Sequence, residues 1–354
     1  MYTSMARNTI PRRAPGLFDI DNRLAELAQM GDCLARLDSL IDWNLFVQAV
    51  EPLVGSANST TAGGRPAYST AIMLKLLILQ RLHNLSDEQT QFQACDRLSY
   101  QRFLGLTLAD RIPDRNTLRE FREKLVKADA FQQLFDIFGA RLRAKGFIPK
   151  EGSVIDASFV EVPRQRNRRE ENRQIKNGVT PPEWEEKPAK LAQKDVDARW
   201  AIKNEEVHFG YKNHIKIDVR SKLIEKASVT SAEVHDSQEL GRLVEAGDGL
   251  GFADSAYKGQ PVAEQMEAVG AIPAVAGKSK RGAPLSAFQK QFNKGVSRVR
   301  ARVEHVFGAM VGDAGRLFQR HIGFARNRAG IILLNLVYNL RRYEQIVRLA
   351  LMRA

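Results

Sequence analysis

Two cysteines in 354 residues, Cys33 and Cys95, are too few for a disulfide framework, and no CxxC pair exists to hold a structural zinc. That usage fits a reducing compartment. Long apolar runs are missing too. The longest, near "GIILLNLVYNL" (330–340), is interrupted by two asparagines and closed by Arg341 and Arg342. It is too short to span a bilayer and reads as a buried helix. The opening stretch "MYTSMARNTIPRRAPG" has charge but no apolar core, so no secretory signal is expected, and the chain is expected in the cytoplasm. Acid is in deficit: 54 Lys and Arg face 41 Asp and Glu, a formal charge of +13. A field of that sign favours a polyanionic partner, most often nucleic acid, although a generic basic enzyme or a ribosome-associated protein carries the same balance.

What is present is ordinary for a soluble globular chain, with 44% hydrophobic and 27% charged residues, so packed cores are expected and the length allows two domains. Residues 1–150 read as a helical N-terminal domain. "DNRLAELAQMGDCLARLDSLI" (21–41) sets Leu24, Leu27, Met30, Leu34 and Leu37 at helical spacing. "PAYSTAIMLKLLILQRLHNL" (66–85) is apolar on most faces and belongs at this domain's centre. Ser86 and Gln89 form a capping-box pattern that opens a further helix. A turn at 112–117 leads into "LREFREKLVKA", where Arg115, Arg119 and Arg122 crowd one basic segment. Helix, loop and short basic helix resembles a helix-turn-helix recognition element. On the residues alone a solvated helix face has the stronger claim. The last helix, 129–146, is expected to stop at Gly146.

From 152 the pattern changes to strands. "VIDASFVEV" (154–162) begins as a buried strand yet carries Asp156. The polar tract 163–195 lacks apolar periodicity and reads as an insertion or mobile loop. Residues 207–219 and 222–232 alternate as a β-hairpin. A helix from 236, a strand ending near Asp254, a helix at 259–270 and a strand at 271–275 complete an α/β arrangement that is not doubly wound.

Asp156 and Asp254 each end the apolar part of a strand. A lone aspartate there is normally a cap or turn residue. Two carboxylates aimed at one place repel unless a cation separates them. Hard oxygen donors without His or Cys select Mg²⁺ or Mn²⁺. A third acid is expected nearby. Between Gly277 and Val303 there are eight Lys or Arg residues and no acid, and then comes Glu304. Val296, Val299, Val303, Phe307 and Met310 mark the buried stripe of this helix, with Glu304 at its margin and Arg300 one turn earlier. An exposed Arg300–Glu304 pair is the plain alternative. His208 and His214 read as ordinary strand residues.

"VIDASFV", "HFGYKNHIKIDV", "SAEVHDS", "FADSAYKG" and "RVRARVEHVFG" resemble, in order and spacing, the signature blocks of DDE transposases of the insertion-sequence-five family, within the insertion-sequence-four-like group. "GRPAYSTAIMLKLLILQRLHNLSDEQTQ" and "PDRNTLREFREKL" resemble that family's helical N-terminal domain. The resemblance implies an α/β fold, an RNase H-like mixed-sheet catalytic core preceded by an all-helical N-terminal domain. The core would span 151–340 with a polar insertion at 163–206, and 341–354 would form a C-terminal helical tail. Asp156, Asp254 and Glu304 would be the metal-binding triad, holding two Mg²⁺ or Mn²⁺ ions. The group's Tyr-Arg-Glu-Lys signature is met at Arg300 and Glu304 but not at Ser297 or Val311. His235 and Asp236 also match a block, without an assigned role.

The expected activity is that of a DNA transposase: metal-dependent cleavage at the ends of an insertion element, then strand transfer into target DNA. Three rivals are a resolvase-like nuclease without strand transfer, a catalytically silent DNA-binding derivative, and a basic RNA-binding structural protein, which explains the charge but not the three placed carboxylates. The partners expected are double-stranded DNA and a second copy in the active complex, with no membrane. Arg115, Arg119 and Arg122 would contact the element's ends. Lys278, Lys280 and Arg281 in the loop before the basic helix, and Arg298 and Arg300 on it, would hold phosphates.

Overall fold

Helices α1 (Asp19–Gln29), α2 (Cys33–Leu40), α3 (Trp43–Val54), α4 (Thr70–Leu82), α5 (Asp87–Asp96), α6 (Leu98–Leu104), α7 (Arg115–Lys127) and α8 (Ala130–Ala144) come first, as the apolar spacing requires. These elements belong to a computed structural model that describes residues 16–55, 67–149, 151–203, 205–253, 264, 266–268, 270, 272–277, 285–312 and 317–350. The periodic stretch 21–41 is two helices. Gly31 takes a positive φ of 88°, and the Asp32 carboxylate then accepts from the Leu34 and Ala35 amides to start α2. Helix α4 is the apolar centre, with Met73, Leu74, Leu76, Leu77, Ile78 and Leu79 all buried. The expected capping box opens α5: Gln89 N donates to Ser86 Oγ, and Ser86 N donates back to Gln89 Oε1.

A mixed six-stranded sheet follows. Its strands are β1 (Ser153–Glu161), β2 (Arg199–Lys203), β3 (Glu206–Asp218), β4 (Ile224–Ser231), β5 (Leu250–Ala253) and β6 (Ile272–Val275). The order is β2-β3-β1-β5-β6, with β4 also pairing β3. Pairs to β3 are antiparallel, whereas β1-β5-β6 run parallel. Gly210 is fixed by close approach: its φ is +147°, and a Cβ there would run into the Val160 carbonyl. A turn of 3-10 helix (Asp236–Glu239) and a short α12 (Leu240–Leu243) stand where a longer helix was expected. Two long helices, α13 (Ala287–Val311) and α14 (Phe324–Leu349), close the described fold.

The polar tract after β1 is packed, contrary to the reading of it as a mobile loop. It forms α9 (Arg169–Lys176), α10 (Pro182–Glu185) and α11 (Pro188–Leu191), and its end supplies β2. Its core is one tryptophan. Trp184 is fully buried, and its Nε1 donates to Glu171 at 2.7 Å. The buried Asp195 carboxylate accepts from Tyr211 Oη at 2.7 Å, Gly323 N at 3.0 Å and Asn327 Nδ2 at 3.1 Å. Order here comes from one aromatic and one satisfied carboxylate, which leave no periodic signal.

The expected boundary at 340/341 falls inside α14, a single helix that packs against α2, α4, α7, α8 and β4. Its asparagines, which interrupt the apolar run in the sequence, are fully buried and bonded. Asn335 and Asn213 of β3 exchange reciprocal amide bonds at 2.8 and 3.0 Å. Asn339 receives Ile224 N and donates to Ile224 O, both at 2.8 Å, pairing with β4 as a neighbouring strand would. Helical half and sheet therefore share one hydrophobic cluster.

The opposite face of β3 carries Lys216, fully buried among Asp248 (2.7 Å), Glu245 (3.3 Å) and Glu225 (3.7 Å). Burial pushes the Glu225 carboxyl up to about 7, against the pull of Lys216. A raised folded-state value means the folded protein holds a proton that the unfolded chain has already released. Stability therefore falls as pH rises from 4.5 to about 7. Glu225→Gln should match the wild type in melting temperature near pH 4.5 and exceed it near pH 8. Thermal melts across that range check this, and parallel curves would refute it.

Candidate active site

Strand β1 lies between β3 and β5, and α13 packs over it, so a side chain at its middle is shut off from water. Asp156 holds that position. It shares a strand face with Val154 and Val160, which join the cluster containing Val303 and Val306 of α13. Burial raises the Asp156 carboxyl above the usual carboxylate range. The Ala157 amide, at 2.8 Å, and then Arg300 and Lys203 draw it back, while Glu304 pushes it further up. Arg300 Nη2 lies 3.3 Å from Asp156 Oδ2.

Arg300 and Glu304 occupy adjacent turns of α13, which buries Val296, Val303 and Phe307 of the expected stripe together with Val306, while Val299 and Met310 are half-buried. Glu304 itself is exposed. The helix is started by a capping box between Ser286 and Gln289 and held to the end of β6 by two bonds between Asn293 and Gly277. Arg300 thus lies against Asp156, and Glu304, one turn further along α13, acts on the same carboxyl through its charge. Asp254 lies outside the described residues. The parallel pairing of β1 with β5 runs to Ile155↔Ala253, and in the sequence each of these is followed by aspartate.

The other candidates divide. Lys278, Lys280 and Arg281 fall outside the described residues. Arg298 is exposed on α13, and so are Ser297, Arg119 on α7 and Arg115, whose Nη1 is 3.5 Å from Glu88. Val311 ends α13. Arg122 is different: it grips both oxygens of Asp87, at 2.6 and 2.9 Å, and bonds Gln80 at 3.1 Å. That ties α7 to α4 and α5, so Arg122 is engaged within the fold.

Sequence reasoning missed Lys203, whose charge acts on Asp156 from the end of β2. The alternation in "RWAIK" was its signal, lost within a polar tract. Asp236 also gains a place: Lys212 of β3 bonds both Asp236 Oδ1 (2.8 Å) and the Val234 carbonyl (2.7 Å), fastening the segment after β4. His214 is buried against Thr230 Oγ1 at 2.8 Å, and burial lowers it to about 4. His208 stacks on Phe159 at 4.1 Å, with Glu161 and Glu206 beside it. Those three, and the Glu225, Glu245 and Asp248 set already holding Lys216, are the described groups close enough to share a cation.

A buried strand carboxylate approached by a helix-borne glutamate in a chain of charge +13 points to a polyanion-processing protein. The model of the family described as Transposase DDE domain matches residues 148–340, and that described as Transposase domain (DUF772) matches residues 22–124. The first covers more than half of the chain, and the protein belongs to the DDE transposase family. No solved structure matches it. Among the described residues, no helix is long and apolar enough to cross a membrane.

The contrast between Arg119 and Arg122 is testable. Their environments predict that Arg122→Ala lowers stability by about 1–3 kcal/mol, because a largely buried, bidentate partner is lost (side-chain exposures of 14% and 26%). Arg119→Ala should leave stability within about 0.5 kcal/mol, as for other exposed positions. Urea denaturation of both variants decides it, and equal effects would refute the distinction.

Proposed function

We propose that the protein is an insertion-element transposase of the insertion-sequence-five type, whose RNase H-like core cleaves DNA at the element's ends and transfers the freed 3′ ends into target DNA. The sheet order supports that core: β3 pairs β1 antiparallel on one side, with β2 and β4 antiparallel to β3 beyond it, and β5 and β6 run parallel to β1 on the other. The observation that carries the proposal is Asp156, buried in mid-strand and repelled by Glu304 on a different element. A buried carboxylate that already draws Arg300 and Lys203, with the acid of Glu304 acting on it from a neighbouring helix, fits a divalent cation bound through oxygen. In the proposal Asp156, Asp254 and Glu304 hold two such ions, Mg²⁺ or Mn²⁺. Asp254 is included because Phe252, two residues earlier, pairs with Val154, two residues before Asp156. Bound there, the cations would activate the attacking oxygen and stabilise the leaving oxygen of a phosphodiester.

The chain's own residues supply position and charge. Lys290, Lys294, Ser297, Ala301, Glu304 and Gly308 recur at intervals of four and three along α13, and all are exposed. That line leads from two lysines to Glu304 past small side chains, and around Gly308 there is open space. A DNA backbone lying along it would be held by Lys290, Lys294 and Arg298, joined by Lys278, Lys280 and Arg281 from the preceding loop. Residues 1–150 would recognise the element's ends through Arg115 and Arg119, 151–340 would perform the chemistry, and a dimer would synapse two ends in the cytoplasm.

The test is incubation of the protein with the element's own end DNA and Mg²⁺, reading 3′-end cleavage and joining. Asp156→Ala and Asp254→Ala should abolish both while leaving DNA binding nearly intact. Glu304→Gln should lose orders of magnitude in rate with Mg²⁺ and recover partly with Mn²⁺, whose coordination demands are looser. Its DNA affinity should hold or rise, because one charge repelling phosphate is gone. An active Glu304→Gln protein would assign the third ligand to another acid.

A further inference from the structure

Three side chains at the far end of β1 converge outside the candidate active site. Glu161 closes β1, while Glu206 and His208 stand two residues apart at the start of β3 and so share a sheet face. The antiparallel register sets Glu161 opposite Gly210, which puts its side chain on that same face. Glycine there adds no side chain between Glu161 and the imidazole. His208 Nδ1 lies 3.3 Å from Glu161 Oε1, and its Nε2 lies 3.9 Å from Glu206 Oε2. One donor atom from each of the three falls within 4.8 Å of the others. Asp156 is five residues back, about 16 Å along the strand and on its other face. The cluster is therefore separate from the proposed catalytic triad.

Its parts differ in freedom. The His208 ring is stacked on Phe159, with centroids 4.1 Å apart and planes within 8°, which leaves both nitrogens at the ring's edge beside the carboxylates. Side-chain exposure is 15% for His208 and 13% for Glu161 but 74% for Glu206. Two donors are held and the third swings at the surface, which gives an ion a way in. A histidine–glutamate pair accounts for the 3.3 Å contact alone. It leaves Glu206 unexplained, because 3.9 Å exceeds a hydrogen bond. Donors around a tetrahedral Zn²⁺ sit about 3.3–3.6 Å apart, given bonds of about 2.0–2.2 Å, and a small swing of Glu206 reaches that spread. Imidazole nitrogen beside carboxylate oxygen suits Zn²⁺, whereas Mg²⁺ prefers oxygen alone. Two carboxylates balance a dication, and a ligating imidazole adds no charge. Lys212, on the other side of Phe159, is taken up by Asp236 and the Val234 carbonyl.

We propose that Glu161, Glu206 and His208 form a Zn²⁺ site that clips the β2–β3 hairpin to the end of β1. Each gives one ligand atom, and water completes the shell. The backbone of Glu161 also bonds the segment before α14, donating to Leu317 O at 3.0 Å and accepting from Gln319 N at 2.9 Å. The ion would thus brace the sheet where the lead-in to α14 joins it. This is a structural role, and it does not rest on the reading of the protein as a transposase.

The experiment uses the full chain carrying Asp156→Ala, so that the proposed catalytic site contributes no binding, after treatment with a chelator and its removal. Zn²⁺ alone is the probe, read by isothermal titration and by melting temperature. One ion per chain should bind through this site and raise the melting temperature. Loss of even an outer-shell partner costs about tenfold in metal affinity, so Glu161→Gln and Glu206→Gln should each lose at least that. His208→Phe, which keeps a ring against Phe159, should lose as much. Glu206 is exposed, so its variant keeps the test decisive even where the other two disturb the fold. Mg²⁺ at the same concentration should leave the melting temperature unchanged. No stabilisation by Zn²⁺, equal Zn²⁺ affinity with and without Glu206→Gln, or an equal shift with Mg²⁺ would each overturn the proposal.

Discussion

The fold depends on three buried asparagines of α14. A side-chain amide taken from water without partners is costly, so each position is tolerable only in one docking of the helix. Asn327 meets Asp195 of the insertion, Asn335 meets Asn213 of β3, and Asn339 meets both backbone groups of Ile224 in β4. Apolar contacts alone would let a helix this oily slide or rotate on the sheet. The amides fix its register, and through Asp195 they also fix the insertion. Because the same helix packs against α2, α4, α7 and α8, the orientation of the helical half follows.

That constraint reaches the candidate site through the shared core. Val154 and Val160 of β1, Val303 and Val306 of α13 and the apolar face of α14 belong to one cluster. A shift of α14 would therefore disturb the packing that sets Asp156 against Arg300 and Glu304. Within the sheet, the close passage of β3 past β1 at Gly210 holds the register that leaves Asp156 opposite Ile215. The candidate site is framed by a central strand and by a helix capped at its start and tied down at Asn293.

Much of this was legible in the sequence wherever one element's own periodicity carries the signal. The α4 core, the Ser86 capping box, the β3–β4 hairpin and the α13 stripe all follow from apolar spacing or a cap read over a few residues. Asp156 stood out because a carboxylate interrupts a buried strand, and Glu304 because it is the first acid after a basic run. What escaped depends on partners distant in the chain. Trp184 and Asp195 order a tract with no period of its own. Arg122 reads as a surface cation in the sequence, and only its bond to Asp87, 35 residues away, places it within the fold. Lys203 acts on Asp156 only because β2 joins the sheet, and one amphipathic stretch became α1 and α2 because Gly31 takes a conformation that spacing does not encode.

Arg300 explains how a carboxylate can be buried at the candidate site. A carboxylate buried as deeply as Asp156 would otherwise be protonated or would drive its strand apart. Arg300 sits close enough to offset part of that cost, yet 3.3 Å is long for a charge-assisted bond, and burial still outweighs its pull. The pair is thus a holding arrangement with attraction to spare. Arg300 and Glu304 ride on one rigid helix, so the cation that shields Asp156 and the acid that repels it cannot move independently. A ligand that supplies stronger positive charge can displace the Arg300 interaction without repacking α13, because the helix is fixed by Val296, Val303, Val306 and Phe307 on its other side. In the proposed function, exchange of counter-charge beside a packed helix is what an electrostatically preorganised site requires.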